Sequence, residues 1–407
     1  MARSRVALRR VRALALAAGL LTAGLTAAPP AFADGPGSGT PWVVSLGDSY
    51  ISGEAGRWAG NSNDGESLVD ALGPTAYYDN AAHTAEQITR CHRSRSAEVH
   101  IGGGVNGMNL ACSGATTGTH TDSSGNFKPG IDFYSSGGNQ GQALMLQNFA
   151  ASHNVRMVVV SIGGNDFSFG PIVQKCVTDF LTSPSWLPNY CNDDSAVTSN
   201  FTSANVAAQR AKIAQAFRNV AQAMANAGYS PSSYTIVAQD YPSPIPASSG
   251  FRYSQSGYTR QSTGGCGFWN ADANYANSTA LTVIDQAVAG AASDSGLSNL
   301  VTLRLASAFN SRRLCENTVG LVEEKGLSSW RSPGAVDRTE WINQIRTVTT
   351  IGSNYYIQES IHPNYWGQLA LRNCLRQAYN SGSPRGGACT RTGTGTNANG
   401  EPLMTLN

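Results

Sequence analysis

The sequence predicts an α/β protein: three α/β/α layers around a central parallel sheet, carrying long insertions. Three observations predict it. Apolar runs at 42–44, 155–162 and 234–238 lack polar alternation, as strands buried on both faces do. Ile213, Phe217, Val220 and Met224 form a stripe at helical spacing that Gly228 closes. Strand-like and helix-like segments alternate along the chain, which places helices on both sides of a parallel sheet.

Residues 34–40 are a Gly/Pro/Ser lead-in, and 42–48 read as the first strand. Gly47 relaxes the turn after it and leaves the Ser49 hydroxyl at the sheet's C-terminal edge, where open α/β sheets place ligands. Residues 51–90 look irregular, and a loop of that length is commonly functional or disordered. Residues 108–115 end in a small-residue turn, and 142–151 suit a short helix. The run 155–162 ends at Gly163-Gly164-Asn165-Asp166. A helix over 206–227, a strand over 234–238 and a Pro-, Ser- and aromatic-rich stretch over 241–275 follow. Leu281, Ile284 and Val288 mark another helix, and 300–305 another strand. After Pro363, the positions Leu371, Cys374, Leu375 and Ala378 mark a terminal helix. From Thr390 the chain is rich in Gly, Thr and Asn, so 391–407 is expected to be a flexible tail. No internal repeat is present.

The first 33 residues stand apart. Arg3, Arg5, Arg9, Arg10 and Arg12 precede an Ala/Leu-rich run, and Ala31-Phe32-Ala33 resembles a cleavage site. This is the pattern of a secretory signal peptide, and the run is short for a membrane anchor. Arg9-Arg10 hints at twin-arginine export, although the rest of that motif is poor. Without the five arginines, 23 basic residues of 28 remain against 26 acidic ones, a formal charge of −3. The basic balance thus belongs to the leader, and no nucleic-acid partner is implied. Only 13% of residues are charged, about half the usual share. Eight cysteines in an exported chain point to disulfides. They allow 105 connectivities, and spacing suggests Cys91–Cys112, Cys176–Cys191, Cys266–Cys315 and Cys374–Cys389. No CxxC is present, so neither metal nor redox chemistry is indicated.

Acyl transfer needs a nucleophile, a base and donors for the oxyanion. Gly47-Asp48-Ser49-Tyr50 offers a hydroxyl, although Gly, Asp and Ser also cluster in ordinary turns. Of six histidines, His83, His92, His100, His120 and His153 read as exposed or loop residues. His362 differs, lying in Glu359-Ser360-Ile361-His362-Pro363-Asn364 with a proline suited to the first turn of a helix. Glu359 is close enough to accept from the imidazole Nδ1. The plainer reading of this segment is a helix cap. The Ser49 and Gly114 backbone N–H groups and the Asn165 side-chain amide are candidate oxyanion donors, Asn165 lying in what is otherwise an ordinary turn.

Four blocks, in order over residues 45–367, resemble the SGNH/GDSL hydrolase family. They are Gly47-Asp48-Ser49-Tyr50, the segment around Gly114, Gly163-Gly164-Asn165-Asp166, and His362-Pro363-Asn364 with Gly367 beyond. The resemblance implies a flavodoxin-like fold in one hydrolase domain over 34–390, and a secreted esterase or lipase of the extracellular actinobacterial type. Ser49 would be the nucleophile and His362 the base. Ser49, Gly114 and Asn165 would form the oxyanion hole. No metal or cofactor is implied. One departure concerns the third member: the family usually has Asp three residues before the histidine, and this chain has Glu359. In some extracellular members a backbone carbonyl orients the ring, which makes the Ser360 carbonyl a rival. Extra length at 51–90, 170–200, 241–275 and 316–350 is read as walls and lids. The expected partner is an ester or lipid substrate, with interfacial contact with lipid and a monomeric state. Alternatives are a carbohydrate O-acetyl esterase or a phospholipase on the same site, or a secreted binding protein with a dead site. The G-x-S-x-G elbow of lipases is missing.

Overall fold

The uninterrupted valine run becomes the middle of a sheet. In the computed structural model, which describes residues 35–347 and 356–407, β3 (Asn154–Ser161) lies between β1 (Pro41–Gly47) and β4 (Thr235–Gln239). The segment expected to be a signal peptide and positions 348–350 of the 316–350 insertion lie outside the described residues. Beyond β1 is β2 (Asn106–Asn109), and beyond β4 is β5 (Leu300–Arg304). These five strands are all parallel, in the order 2-1-3-4-5. That is the flavodoxin-like doubly wound order, which reverses direction between β1 and β3. β2 is short and polar, and its sequence carried no strand signal.

Both faces of the sheet are buried, which explains the missing alternation. Val44, Leu46, Val158 and Val160 face one core with Ile213, Phe217, Val220, Ile284 and Val288. Val43, Met157 and Val159 face the other core with Leu371 and Leu375. The first layer is built by α2 (Gln142–Ala150), α4 (Ser203–Asn226) and α5 (Leu281–Asp294), and the second by α6 (Tyr365–Tyr379). Two further helices belong to the edge that carries the site: the single turn α1 (Ser49–Ser52) and α3 (Phe169–Thr182), the latter in a stretch read only as an insertion.

The chain's end departs from the expected flexible tail. β6 (Gly387–Thr396) pairs in parallel with β5 through Gly387 and Ala388, and β7 (Pro402–Leu406) closes on β6 in antiparallel fashion. Met404 and Leu406 are buried against α6. A Gly/Thr alternation with a turn at 397–400 is hairpin chemistry, and composition alone hid it. The cysteines pair as Cys91–Cys112, Cys176–Cys191, Cys266–Cys315 and Cys374–Cys389. The last pair pins α6 to β6. Replacing Cys374 and Cys389 by Ser should cost about 3 kcal/mol, the loop-entropy value for a separation near 15 residues. A matching fall in the urea midpoint checks it.

Candidate active site

β1 and β3 end almost in contact. A Cβ at Gly47 would lie 1.9 Å from the Ser161 carbonyl oxygen, and its φ is +138°, so only glycine fits. α2 holds the same turn from one side. The buried Gln142 amide accepts from Gly47 N at 2.7 Å and donates to Gly47 O at 2.9 Å. The next residue, Asp48, caps α1 by accepting from Tyr50 N at 3.1 Å. Ser49 thus starts a helical turn at the switch point of the sheet, only 6% exposed. Its backbone N–H has no partner among the described residues.

His362 reaches this position from the other end of the chain. Residues 361–364 pair with 341–343: Ile361 N donates to Asn343 O (3.1 Å), Asn343 N to His362 O (2.9 Å) and Asn364 N to Trp341 O (2.9 Å). Asn364 then caps α6 through Trp366 N and Gly367 N, so Pro363 precedes the cap and lies outside the first turn. Ile361 has φ +61°, a left-handed conformation costly for a β-branched residue. It is held by the pairing and by the Tyr50 hydroxyl, which donates to Ile361 O at 2.9 Å. The result is a Ser49 Oγ to His362 Nε2 distance of 2.6 Å. His362 Nδ1 lies 2.8 Å from the Ser360 carbonyl. A proton on Nδ1 satisfies that carbonyl and leaves Nε2 as the acceptor for the serine.

The expectation that Glu359 orients the ring is therefore corrected: the Ser360 carbonyl does. Extended backbone at Ser360 (φ −60°, ψ 136°) followed by the left-handed Ile361 turns the carbonyl toward Nδ1 and the Glu359 side chain away. Glu359 is buried and accepts from Trp58 Nε1 (2.8 Å), Tyr356 N (3.0 Å) and the Tyr77 hydroxyl. Burial, reinforced by the nearby Glu54, lifts its pKa to about 7 against those three bonds.

Gly114 has φ +81°, and its N–H is also without a partner among the described residues. The Asn165 amide donates to Ala115 O at 2.9 Å, which leaves its second hydrogen. Ser49, Gly114, Asn165 and His362 line one open groove along α3. On the other side of Ser49, a narrow and largely enclosed apolar chamber begins, with a cavity volume of about 80 Å3.

Other residues around the site were not singled out from the sequence. The Tyr241 hydroxyl bridges Asp48 Oδ2 (2.5 Å) and Gly164 N (3.0 Å), tying the turn after β1 to the turn after β3. Burial, eased by Tyr241, raises Asp48 to about 7. His92 lies in an irregular segment, as a loop residue would, but it is only 1% exposed, so the expectation of an exposed histidine is corrected. Its Nδ1 lies 2.7 Å from Glu54, its Nε2 3.3 Å from Glu86, and its ring stacks on Tyr77. Burial opposes both charges of the Glu54–His92 pair, but their attraction wins, raising His92 and pulling Glu54 to about 2. Gln358 links Glu54 Oε2 (2.9 Å) to Ser113 Oγ (2.7 Å), next to Gly114. Only an acid, a histidine and a glutamine widely spaced in a polar stretch encode this pairing, a pattern too common to stand out. For His362, burial lowers the pKa more than Glu54 and the Ser360 carbonyl raise it. Among the described residues, no cluster of three or more His, Cys, Asp or Glu could hold a metal ion.

No family model matches the sequence, and no curated protein matches it. Solved structures similar to this chain include three esterases and lipases. The extracellular lipase of Streptomyces rimosus is 19% identical with a TM-score of 0.44, covering 84% of this chain and 100% of its own. Phospholipase A1 of Streptomyces albidoflavus NA297 is 18% identical with a TM-score of 0.44, covering 83% and 99%. Est24, a carbohydrate acetylesterase from Sinorhizobium meliloti, is 11% identical with a TM-score of 0.28, covering 70% and 92%. At such values likeness bears no weight for chemistry, and the residues of the site must carry it.

Because Glu359 does not touch the imidazole, Glu359→Gln should keep kcat/KM for an ester within about threefold, an amide still satisfying Trp58, Tyr356 and Tyr77. The folded-state pKa of Glu359 lies above its ordinary value, so its stabilising contribution is complete below about 4.5 and is lost as pH rises through about 7. The substitution should flatten that part of the stability–pH curve, read by denaturation between pH 4 and 8. A drop in kcat/KM beyond a hundredfold at unchanged stability would restore Glu359 as the orienting group.

Proposed function

We propose that this chain is a secreted serine hydrolase of carboxylic esters, an esterase or lipase acting through an acyl-enzyme. The observation that carries the reading is the Ser49 Oγ–His362 Nε2 contact of 2.6 Å, with Nδ1 anchored 2.8 Å from a carbonyl. The base is pre-oriented, and burial favours its neutral form.

In the proposed reaction Ser49 Oγ attacks the ester carbonyl carbon as its proton passes to His362 Nε2. The oxyanion is met by Ser49 N–H, Gly114 N–H and the free hydrogen of the Asn165 amide. Donors already in place need no reorganisation as charge develops. The intermediate collapses, the C–O bond to the alcohol breaks, and His362 returns the proton to the leaving oxygen. Water, deprotonated by His362, then releases the acid and restores Ser49. An intact, hydrogen-bonded pair speaks against a dead binding site. Secretion is supported by four disulfides, which persist in oxidising compartments, and by the leader-like first 33 residues. Trp186 and Leu187, 80% and 64% exposed after α3, would give the enzyme an apolar foothold on a lipid surface.

Ser49→Ala should lower kcat for a p-nitrophenyl ester at least a thousandfold and abolish covalent labelling by a fluorophosphonate, with the fold intact by circular dichroism. Retained turnover sinks the proposal. Asn165→Ala should cost about a hundredfold in kcat, the usual scale for one oxyanion donor. kcat/KM should rise with pH as His362 loses its proton, with a midpoint below 6.5 because its pKa is lowered. A midpoint above 7 would show another group in control.

A further inference from the structure

Ser49 stands where two unlike spaces meet. The chamber is walled by Phe169 and Ile172 of α3, the Cys176–Cys191 disulfide, Phe268 and Ile284. The groove follows α3 from Phe169 to Thr182, with 345–347 and 357–362 on its far side. Both are lined by Ser49 and Asn165, but only the groove is lined by His362 and Gly114. We infer that the chamber receives the acyl chain of the ester and the groove receives its alcohol, an assignment that rests on the reaction proposed above.

The leaving oxygen decides it. His362 Nε2 must protonate that oxygen, and a general acid works only within hydrogen-bond reach. The alcohol therefore departs on the imidazole's side, into the groove. The acyl carbon stays on Ser49 Oγ with its oxygen turned to Ser49 and Asn165 at the boundary and to Gly114 on the groove side. Its remaining substituent has the chamber left to enter. That space suits a polymethylene chain better than a sugar. Ser243 donates to Asn277 at 2.7 Å and Tyr241 to Asp48 at 2.5 Å, so these polar groups are already engaged. Asp272 Oδ2 has no partner among the described residues. Each buried methylene is worth about a fourfold gain in an equilibrium. The substrate class is thus esters of linear acids longer than butyrate, with length read on the acid and hardly on the alcohol.

The chamber's wall offers a clean test. The helix Asn270–Tyr275 runs into α5 through a π-helical turn, Ala276–Ala280, whose Ala276, Asn277 and Ala280 line the chamber. π turns are frequent at functional sites. Ala280 is partly exposed and plays no part in the proposed chemistry, so Ala280→Phe should fill the chamber and leave the fold intact. Two ester series are compared in wild type and variant: p-nitrophenyl esters lengthened from acetate to laurate, and acetates of alcohols lengthened from methyl to octyl. The substitution should lower kcat/KM at least tenfold for acids of eight or more carbons. The ratio of kcat/KM for laurate to that for acetate should fall at least tenfold, whereas the dependence of kcat/KM on alcohol length should keep its shape. Loss confined to the alcohol series, or two unchanged profiles, overturns the assignment. Calorimetric titration of Ser49→Ala with decanoate supplies a readout free of turnover. Binding weakened tenfold by Ala280→Phe keeps the chamber assignment even if no ester is cleaved, which sinks only the reaction. Binding indifferent to the substitution sinks the assignment while turnover stands. Ala276→Leu replaces Ala280→Phe if the latter does not fold.

Discussion

The site depends on one short ladder, the backbone pairing of 361–364 with 341–343. It forces Ile361 into a left-handed conformation that an isoleucine would not adopt unaided. From that single twist follow the direction of the Ser360 carbonyl, the position of the imidazole and the approach of Nε2 to Ser49. The Tyr50 hydroxyl fastens the twist to the turn after β1 by taking the Ile361 carbonyl. Serine and imidazole are thus held by the same two adjacent pieces of backbone, although 313 residues separate them. Because the orienting group is a carbonyl, the ring is aligned without a charged partner, and the imidazole stays a neutral acceptor.

Charge is instead kept behind the site. Glu54 and His92 form a buried pair whose opposite charges bear on His362 in opposite directions. Glu359 and Asp48, each beside the reacting groups in sequence, are lifted to about 7 by burial. They act through hydrogen bonds to tyrosine, tryptophan and backbone. The proposed oxyanion donors, two backbone N–H groups and an amide, carry no charge of their own. Such preorganised neutral dipoles in a dry setting are an effective way to meet developing charge.

The insertions supply shape. α3, the rod 270–294 and two of the four disulfides enclose the space beside Ser49 or brace the ladder that carries His362. Cys176–Cys191 forms part of the chamber wall. Cys266–Cys315 lies by Gly265 and Gln261, which bond Ile345 at the end of the 341–345 segment. A chain with few charges and much glycine can hold long irregular segments in place by such cross-links and by burying aromatic rings.

By itself the sequence determined the α/β layering, because buried strands need apolar residues on both faces and amphipathic helices need a 3.6-residue stripe. It also singled out Ser49, Gly114 and Asn165, since small-residue turns after strands converge on one sheet edge, and His362 by its flanking residues and the resemblance of its block. It could not decide how the ring is oriented. Glu359 at three residues' distance looked adequate, and only the pairing that twists Ile361 sends that carboxylate to Trp58 and Tyr77. Nor could it show β2, the β6–β7 hairpin or the burial of His92. Short polar strands and a Gly/Thr-rich end have no hydrophobic period, so their order comes from partners distant in the chain. Local physics writes its signature in local residues, whereas a contact between segments hundreds of residues apart leaves none in either segment alone.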